Sequence, residues 1–141
     1  MSIWFEKFTL DELKARGKST MVEHLGIKLL ELGDDFVTGE MPVDHRTKQP
    51  AGLLHGGASV AFAESLASIG AACVVDRTQF AVVGVEINAN HIRSCTEGKV
   101  VGRASPLHLG RTTQVWEIKI TQGDKLVCVS RITVAVVPKR K

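Results

Sequence analysis

The sequence predicts an α+β fold in which an antiparallel sheet wraps around one long central helix. The first observation is the segment 54–75, which is nearly uncharged, rich in alanine and glycine, and long enough for about six helical turns. The second is the pattern around it, because two strand-like segments precede the helix and four follow it. With 141 residues and no linker or repeat, we expect a single domain over residues 1–141.

The part of the chain before the long helix contains signals for two short helices, two strands and a loop. Thr9 and Glu12 have the spacing of a capping box, which marks the start of a helix. The turn residues at 33–35 separate two strands, and the polar stretch that ends at Pro50 is typical of a loop. We expect helices at 9–17 and 19–24, strands at 27–32 and 36–43, and a loop at 44–50.

The part after the long helix is entirely strand and turn. Residues 115–120 alternate between apolar and polar side chains, and Gly123-Asp124 is a typical hairpin turn. Short connections favour antiparallel pairing, and a sheet covered by a single helix gives a two-layer α+β domain. The pattern alone also fits other α+β folds with one helix. We expect strands at about 80–94, 99–107, 113–121 and 125–137.

The composition argues against several classes of protein. The net charge is only +3, and part of it lies in the basic C-terminal tail 139–141, so we expect no nucleic-acid binding. The long helix carries Glu64 near its middle, where a membrane would penalise a carboxylate, so we expect a buried helix and no membrane contact. Three widely spaced cysteines and no apparent signal peptide favour a reducing, cytoplasmic location.

Glu64 is the only acidic residue of the long helix. Its helical neighbours are small and apolar, except for Ser68, which lies one turn further on the same face. A single glutamate on a helix is most often exposed to solvent, but this helix has no polar stripe. We therefore interpret Glu64 as a functional carboxylate.

The start of the long helix is the second candidate feature. Gly56 and Gly57 lie where backbone N–H groups have no partner within the helix, and such groups can bind an oxyanion. A glycine-rich start chosen for tight packing fits equally well. Gly56 and Glu64 are eight residues apart, roughly 12 Å along a helix, so they can act on one acyl carbon only if they come from different chains. This predicts an obligate dimer with shared sites.

Two further polar residues are candidates for the same site. Gln49 precedes the glycine turn and could donate its amide N–H to a carbonyl. His91 lies within the strand expected at 80–94, on the face opposite to Glu86, Asn88 and Asn90, and a lone histidine in a strand more often has a structural role. The five histidines have no zinc-binding spacing, so we expect neither a metal nor an organic cofactor.

Several long motifs carry a resemblance to a known family, namely residues 41–44, 46–50, 52–59, 63–65, 82–84, 86–91 and 106–110. They resemble the hotdog-fold thioesterases of the 4-hydroxybenzoyl-CoA and 1,4-dihydroxy-2-naphthoyl-CoA type, and are also similar to the enterobactin proofreading thioesterase. The resemblance implies the hotdog fold, with the sheet wrapped around the central helix, and a homodimer that assembles to a homotetramer. It implies hydrolysis of acyl-CoA, or of acyl-carrier-protein thioesters, with aromatic or small acyl groups.

The same resemblance implies roles for individual residues. Glu64 matches the catalytic carboxylate, acting as nucleophile or general base, and Gly56 and Gln49 match the donors to the thioester oxygen. His55 matches the histidine beside the thioester, and Ser68 and His91 match substrate-binding residues. Contacts with the phosphates of CoA fit Arg93, Gly110 and Arg111, although a solvated loop explains these three equally well.

The chain departs from this pattern at Ala51, where the related sequences carry phenylalanine. Loss of that ring could widen the acyl pocket or shift it away from aromatic acids. Two other functions remain open. A hotdog hydratase or dehydratase would need a His-Asp pair at the helix start, and a non-catalytic acyl-CoA-binding module would not need Glu64.

Overall fold

The helices and strands form in the predicted order in a computed structural model of residues 1–141. The predicted capping box is confirmed, because Thr9 and Glu12 each accept the other's backbone N–H. The largest difference from prediction is at the end of the third strand, which stops at His91 rather than at 94. The elements are α1 (Leu10–Ala15), α2 (Met21–His24), β1 (Lys28–Leu32), β2 (Val37–Pro42), α3 (Gly56–Val74), β3 (Phe80–His91), β4 (Lys99–Leu109), β5 (Thr113–Gln122) and β6 (Lys125–Pro138).

All six strands belong to one antiparallel sheet in the order β1-β2-β4-β5-β6-β3. The strand β3 does not pair with its successor β4 but with the last strand, β6. The segment 92–98 makes this possible by crossing the end of the sheet, where its backbone bonds to Val127, Leu54 and Val43. As a result β3 forms one edge of the sheet, and its outer backbone groups have no partner strand.

Glycines on the inner face of the sheet let it approach α3 closely. Gly39 on β2 and Gly102 on β4 are direct cross-strand partners. A Cβ at either position would lie 2.7 Å from a methyl carbon of Leu66, so both positions accept only glycine without movement of that side chain. Leu66 is fully buried in the resulting space. The curvature of the sheet around the helix therefore depends on these two glycines.

The long helix α3 is the centre of the core. By length and composition it could cross a membrane, but in this fold 44% of its most apolar window is buried inside the protein. Its buried side chains pack on the sheet and its buried positions recur over its whole length, from Ala58 to Cys73. The predicted buried helix is thus confirmed, and a curved antiparallel sheet around one central helix is the hotdog fold.

Candidate active site

The helix start is shaped by His55, which is the N-cap residue of α3. Its Nδ1 accepts the backbone N–H of Gly57 at 2.8 Å. Nδ1 must be unprotonated to accept this bond, so the proton of a neutral His55 is on Nε2. The backbone N–H of Gly56, in contrast, donates to no group of the chain. One of the two glycine amides at the helix start is therefore occupied and the other is available to a ligand.

Gln49 is held in the loop before α3 by two hydrogen bonds within that loop. Its backbone N–H donates to Leu53 at 2.8 Å, and its side-chain Oε1 accepts the N–H of Ala51. The His55 N–H donates to the carbonyl of buried Thr47 at 2.8 Å, which ties the loop to the helix start. With Oε1 already engaged, the Nε2 group of Gln49 is the part of the amide left to donate a hydrogen bond outward.

His91 lies directly against the helix start. Its Nε2 is 2.7 Å from the position that a Cβ would take at Gly56. Any larger residue at 56 would displace the imidazole, so the pair requires glycine there. The sequence left the role of His91 open. The structure places it beside Gly56, at the start of α3.

Glu64 projects from α3 two turns beyond Gly56, onto the inner face of β3 at Gly84. The carboxylate Oε1 is 2.7 Å from the position of a Cβ at Gly84, and Glu64 makes no hydrogen bond or ion pair within the chain. Ser68 is half-buried one turn further along the helix and its hydroxyl also has no partner, whereas Ser65 donates to the carbonyl of Ala61 at 2.7 Å. Glu64 and Ser68 are the free polar groups of this face.

A β-bulge places Gly84 and His91, the two residues of β3 that contact α3 at the site, on the same face of the strand. The pairing of β3 with β6 shifts register between Gly84 and Glu86, which makes Val85 the extra residue. Side chains alternate along a strand, so Gly84 and His91 would otherwise face opposite sides. The extra residue reverses the alternation, and both positions face α3. The sequence interpretation missed Gly84 as a site residue, although a glycine inside a strand rich in valine is a recognised signal of close approach.

The predicted CoA contacts are not brought together within one chain. Arg93 follows β3 and bonds through its N–H to Val127, near the start of β6. Arg111 lies next to Thr112, which accepts the N–H of Val136 near the end of β6. Nine residues of strand separate these points, roughly 30 Å. Gly110 lies beside Arg111 and packs on the ring of His108.

The cysteines do not form an alternative nucleophilic site. All three are buried and none is in a disulfide. Burial raises the pKa of the Cys73 thiol to about 11, and it raises the pKa of Cys95 and Cys128 as well. Since the thiolate is the reactive form, the raised pKa values make all three groups poor nucleophiles at neutral pH.

A hotdog fold with a free carboxylate on the central helix and a free amide at its start has the groups that a thioester hydrolase uses. Comparison with known proteins agrees. Residues 51–129 match the Thioesterase superfamily, and the chain belongs to that family. The 1,4-dihydroxy-2-naphthoyl-CoA hydrolase of Escherichia coli is 51% identical over 135 residues, which is 95% of this chain and 98% of that protein.

Solved structures of relatives have the same fold. A mutant thioesterase from Pseudomonas aeruginosa superposes with a TM-score of 0.96 at 46% identity, and the match covers 98% of this chain and 100% of that one. A thioesterase from Haemophilus influenzae gives a TM-score of 0.93 at 47% identity, covering 96% of this chain and 95% of the other. The predicted fold and enzyme class are therefore confirmed.

Proposed function

We propose that the protein hydrolyses acyl-CoA thioesters with aromatic or small acyl groups, with Glu64 as the catalytic carboxylate. The proposal rests on two groups of α3 that have no hydrogen-bond partner within the chain, the carboxylate of Glu64 and the N–H of Gly56. The name of the Escherichia coli relative supports an aryl-CoA substrate. A carrier-protein thioester presents the same reacting group and is the alternative donor of the acyl chain.

The site requires two chains. The carboxylate of Glu64 lies against Gly84, and Gly56 lies against His91. Gly84 and His91 are seven residues apart on β3, roughly 23 Å. An antiparallel pair of β3 strands centred between Ile87 and Asn88 brings Gly84 of each chain near His91 of the partner. Glu64 of one chain then faces Gly56 of the other.

The outer edge of β3 is suited to such pairing. The strand has 12 residues with a free backbone edge, and its apolar residues Val83 and Val85 are 51% and 65% exposed. The same twofold arrangement brings Arg93 of each chain towards Arg111 of the partner, which lie at opposite ends of the sheet within one chain. A dimer therefore completes both the catalytic pair and the proposed contacts with the CoA phosphates. We infer a further assembly of two dimers into a homotetramer, and a cytoplasmic location.

The chemistry follows from these positions. The N–H of Gly56 and the Nε2 group of Gln49 donate to the thioester oxygen and stabilise the negative charge that develops there. Glu64 of the partner subunit either attacks the acyl carbon, releasing the thiol and leaving an anhydride for water to cleave, or removes a proton from the attacking water. His55 and His91 line the cleft, and Ser68 is placed to bind the substrate or the water. Incorporation of oxygen-18 into Glu64 in a single turnover in labelled water distinguishes the anhydride route.

The test is release of free thiol from benzoyl-CoA, hydroxynaphthoyl-CoA, medium-chain acyl-CoAs and the corresponding carrier-protein thioesters. Glu64→Gln keeps the shape of the side chain and removes its basicity, so we expect kcat to fall by at least about 1,000-fold. Hydration of an enoyl-CoA without thiol release would instead indicate the hydratase. Saturable acyl-CoA binding with no turnover would indicate the binding module, and an unchanged rate in Glu64→Gln would exclude the proposed role of this residue.

A further inference from the structure

A second concave region lies at the opposite edge of the sheet from β3, enclosed by α1, α2 and β1. Its volume is about 620 Å³, within the range of sites that hold small molecules. None of the candidate active-site residues lines it. Leu13, Ile27 and Leu29 at its base are almost completely buried, so the apolar surface that a ligand can reach comes mainly from half-buried Val22 and Ile69 and from exposed Leu30. The cavity is thus separate from the thioester site and has an apolar floor.

A β-bulge in β1 directs an additional apolar side chain towards the cavity. The pairing of β1 with β2 shifts register between Leu29 and Glu31, so Leu30 is the extra residue. Neighbouring residues of a regular strand point to opposite faces, yet Leu29 and Leu30 both line this cavity. Leu30 remains 44% exposed, which places it at the mouth rather than in the core. The bulge therefore extends the apolar floor to the opening.

The rim of the cavity is strongly basic. Four of its cations make no ion pair with any carboxylate of the chain, and a fifth, Arg46, is paired with Asp44 at 2.7 Å. The lining contains a single acidic residue, Glu23, whose carboxylate accepts the N–H of Ser19 at 2.7 Å. Cations at the mouth therefore outnumber carboxylates. The four unpaired cations are Lys14, Arg16, Lys18 and Lys28.

We propose that this cavity binds free carboxylic acids that carry an apolar body. The cations at the rim fit the carboxylate, and the leucine and isoleucine floor fits a chain or ring that makes no hydrogen bonds. A small inorganic anion would leave the floor unfilled, and a neutral or cationic amphiphile would leave the rim unpaired. Thioester hydrolysis releases acids of this kind, so the choice of ligand rests on the enzyme class, whereas the cavity itself does not depend on the proposed active site.

The cavity is also connected to the loop that carries Gln49, through Arg46. Arg46 lines the cavity, and it lies three residues before Gln49 in the loop that leads to α3. Its guanidinium holds both carboxylate oxygens of Asp44 within the same loop. A bound carboxylate would compete with Asp44 for this guanidinium. Occupancy of the cavity is therefore expected to alter the loop that positions Gln49.

The test is isothermal titration of the purified protein with octanoate, octylammonium and inorganic phosphate, with no thioester present. We expect saturable binding of octanoate alone. Lys14→Gln/Lys28→Gln should weaken it by about fivefold, because two exposed cations are lost. The matched double variant Lys125→Gln/Lys141→Gln removes the same charge elsewhere and should bind normally. Leu30→Trp keeps all cations but fills the mouth, and it should reduce affinity at least as much.

Amide chemical shifts on octanoate addition locate the ligand. Changes centred on residues 27–30 with the expected variant effects support the proposal, whatever the outcome of the thioester panel. Binding of octylammonium or phosphate as strong as that of octanoate would overturn it. So would octanoate binding that is absent, is insensitive to the cavity variants, or shifts only residues near Gly56 and Gly84, and the last result would indicate product binding at the active site.

Discussion

Oε1 of Glu64 lies 2.7 Å from the place that a Cβ would occupy at Gly84, so the carboxylate fills the space that a side chain on the strand would need. The atom in conflict is the end of a flexible side chain and not backbone. A residue larger than glycine at 84 can therefore be accepted if Glu64 swings away. Gly84 acts as a positioning residue for the proposed catalytic carboxylate.

Gly84→Ala is expected to lower kcat by about 100-fold, because a displacement of about 1 Å is enough to misplace a reacting group. The melting temperature should change little, since Glu64 is only half-buried and can move into the cleft. Steady-state thioester hydrolysis and thermal unfolding of the same preparation provide the two measurements.

A double variant tests whether the loss of activity in Gly84→Ala arises through Glu64. If Gly84 acts through Glu64, adding Gly84→Ala to Glu64→Gln should leave the residual rate unchanged. A further loss in the double variant would show that Gly84 has a function independent of the carboxylate. Gly17→Ala, remote from the cleft, is the matched control for a glycine substitution.

Shared sites predict complementation between two inactive variants. Gln49→Ala damages the donor side of the site and Glu64→Gln damages the carboxylate side. If each site takes one side from each chain, a mixed dimer contains one intact site and one doubly damaged site. Random mixing after reversible denaturation should recover about a quarter of the wild-type activity. No recovery, with mixed dimers confirmed by mass spectrometry, would place the complete site within a single chain.

The cap formed by His55 should contribute to stability separately from catalysis. His55→Ala removes the acceptor for the Gly57 N–H and should cost about 1 kcal/mol of unfolding free energy. His55→Asn supplies another acceptor at the cap and should recover most of that loss in urea denaturation. If both variants lose thioesterase activity to the same extent, the imidazole has a role beyond the cap. Equal stability of His55→Ala and wild type would contradict the capping contribution.

Asp44 gives the protein an acid-dependent component of stability. The guanidinium of Arg46, followed by its backbone N–H, lowers the pKa of Asp44 from its usual 3.8 to about 2. A lowered pKa in the folded state means that the contribution is complete above about pH 4 and is lost as the pH falls towards 2. Urea midpoints of wild type and Asp44→Asn should therefore differ at pH 6 and converge near pH 2. A difference that does not depend on pH would contradict an ionic origin.

The parts of the fold that depend on local pattern could be predicted from the sequence. The alternation of residues 115–120 predicts β5, and the Thr9–Glu12 spacing predicts the start of α1, because both signals arise within a few residues. The placement of β3 beside β6 could not be predicted in this way. It depends on the path of the segment 92–98, whose backbone bonds are made to distant parts of the chain.

In the candidate site, too, the features that arise from local pattern could be predicted and those that depend on distant contacts could not. Glu64 and Gly56 could be found because a single acid and paired glycines are unusual in an apolar helix. The contact of Glu64 with Gly84 and that of Gly56 with His91 depend on the bulge at Val85, which shows only in the pairing register. The spacing of Gly56 and Glu64 along α3 predicted a second chain, but it could not indicate that their contact residues, Gly84 and His91, both lie on β3.

Ala51 provides a test of acyl-group selection. Its N–H donates to Oε1 of Gln49, and its side chain is exposed on the loop that carries this proposed donor to the thioester. Ala51→Phe adds a ring there, and we expect kcat/KM for benzoyl-CoA to rise about fivefold relative to octanoyl-CoA, since an aromatic pair adds about 1 kcal/mol. Ala51→Leu is the control, because it adds apolar volume without a ring. If leucine and phenylalanine change the ratio equally, volume and not aromatic contact determines the preference, and if neither changes it, residue 51 does not contact the acyl group.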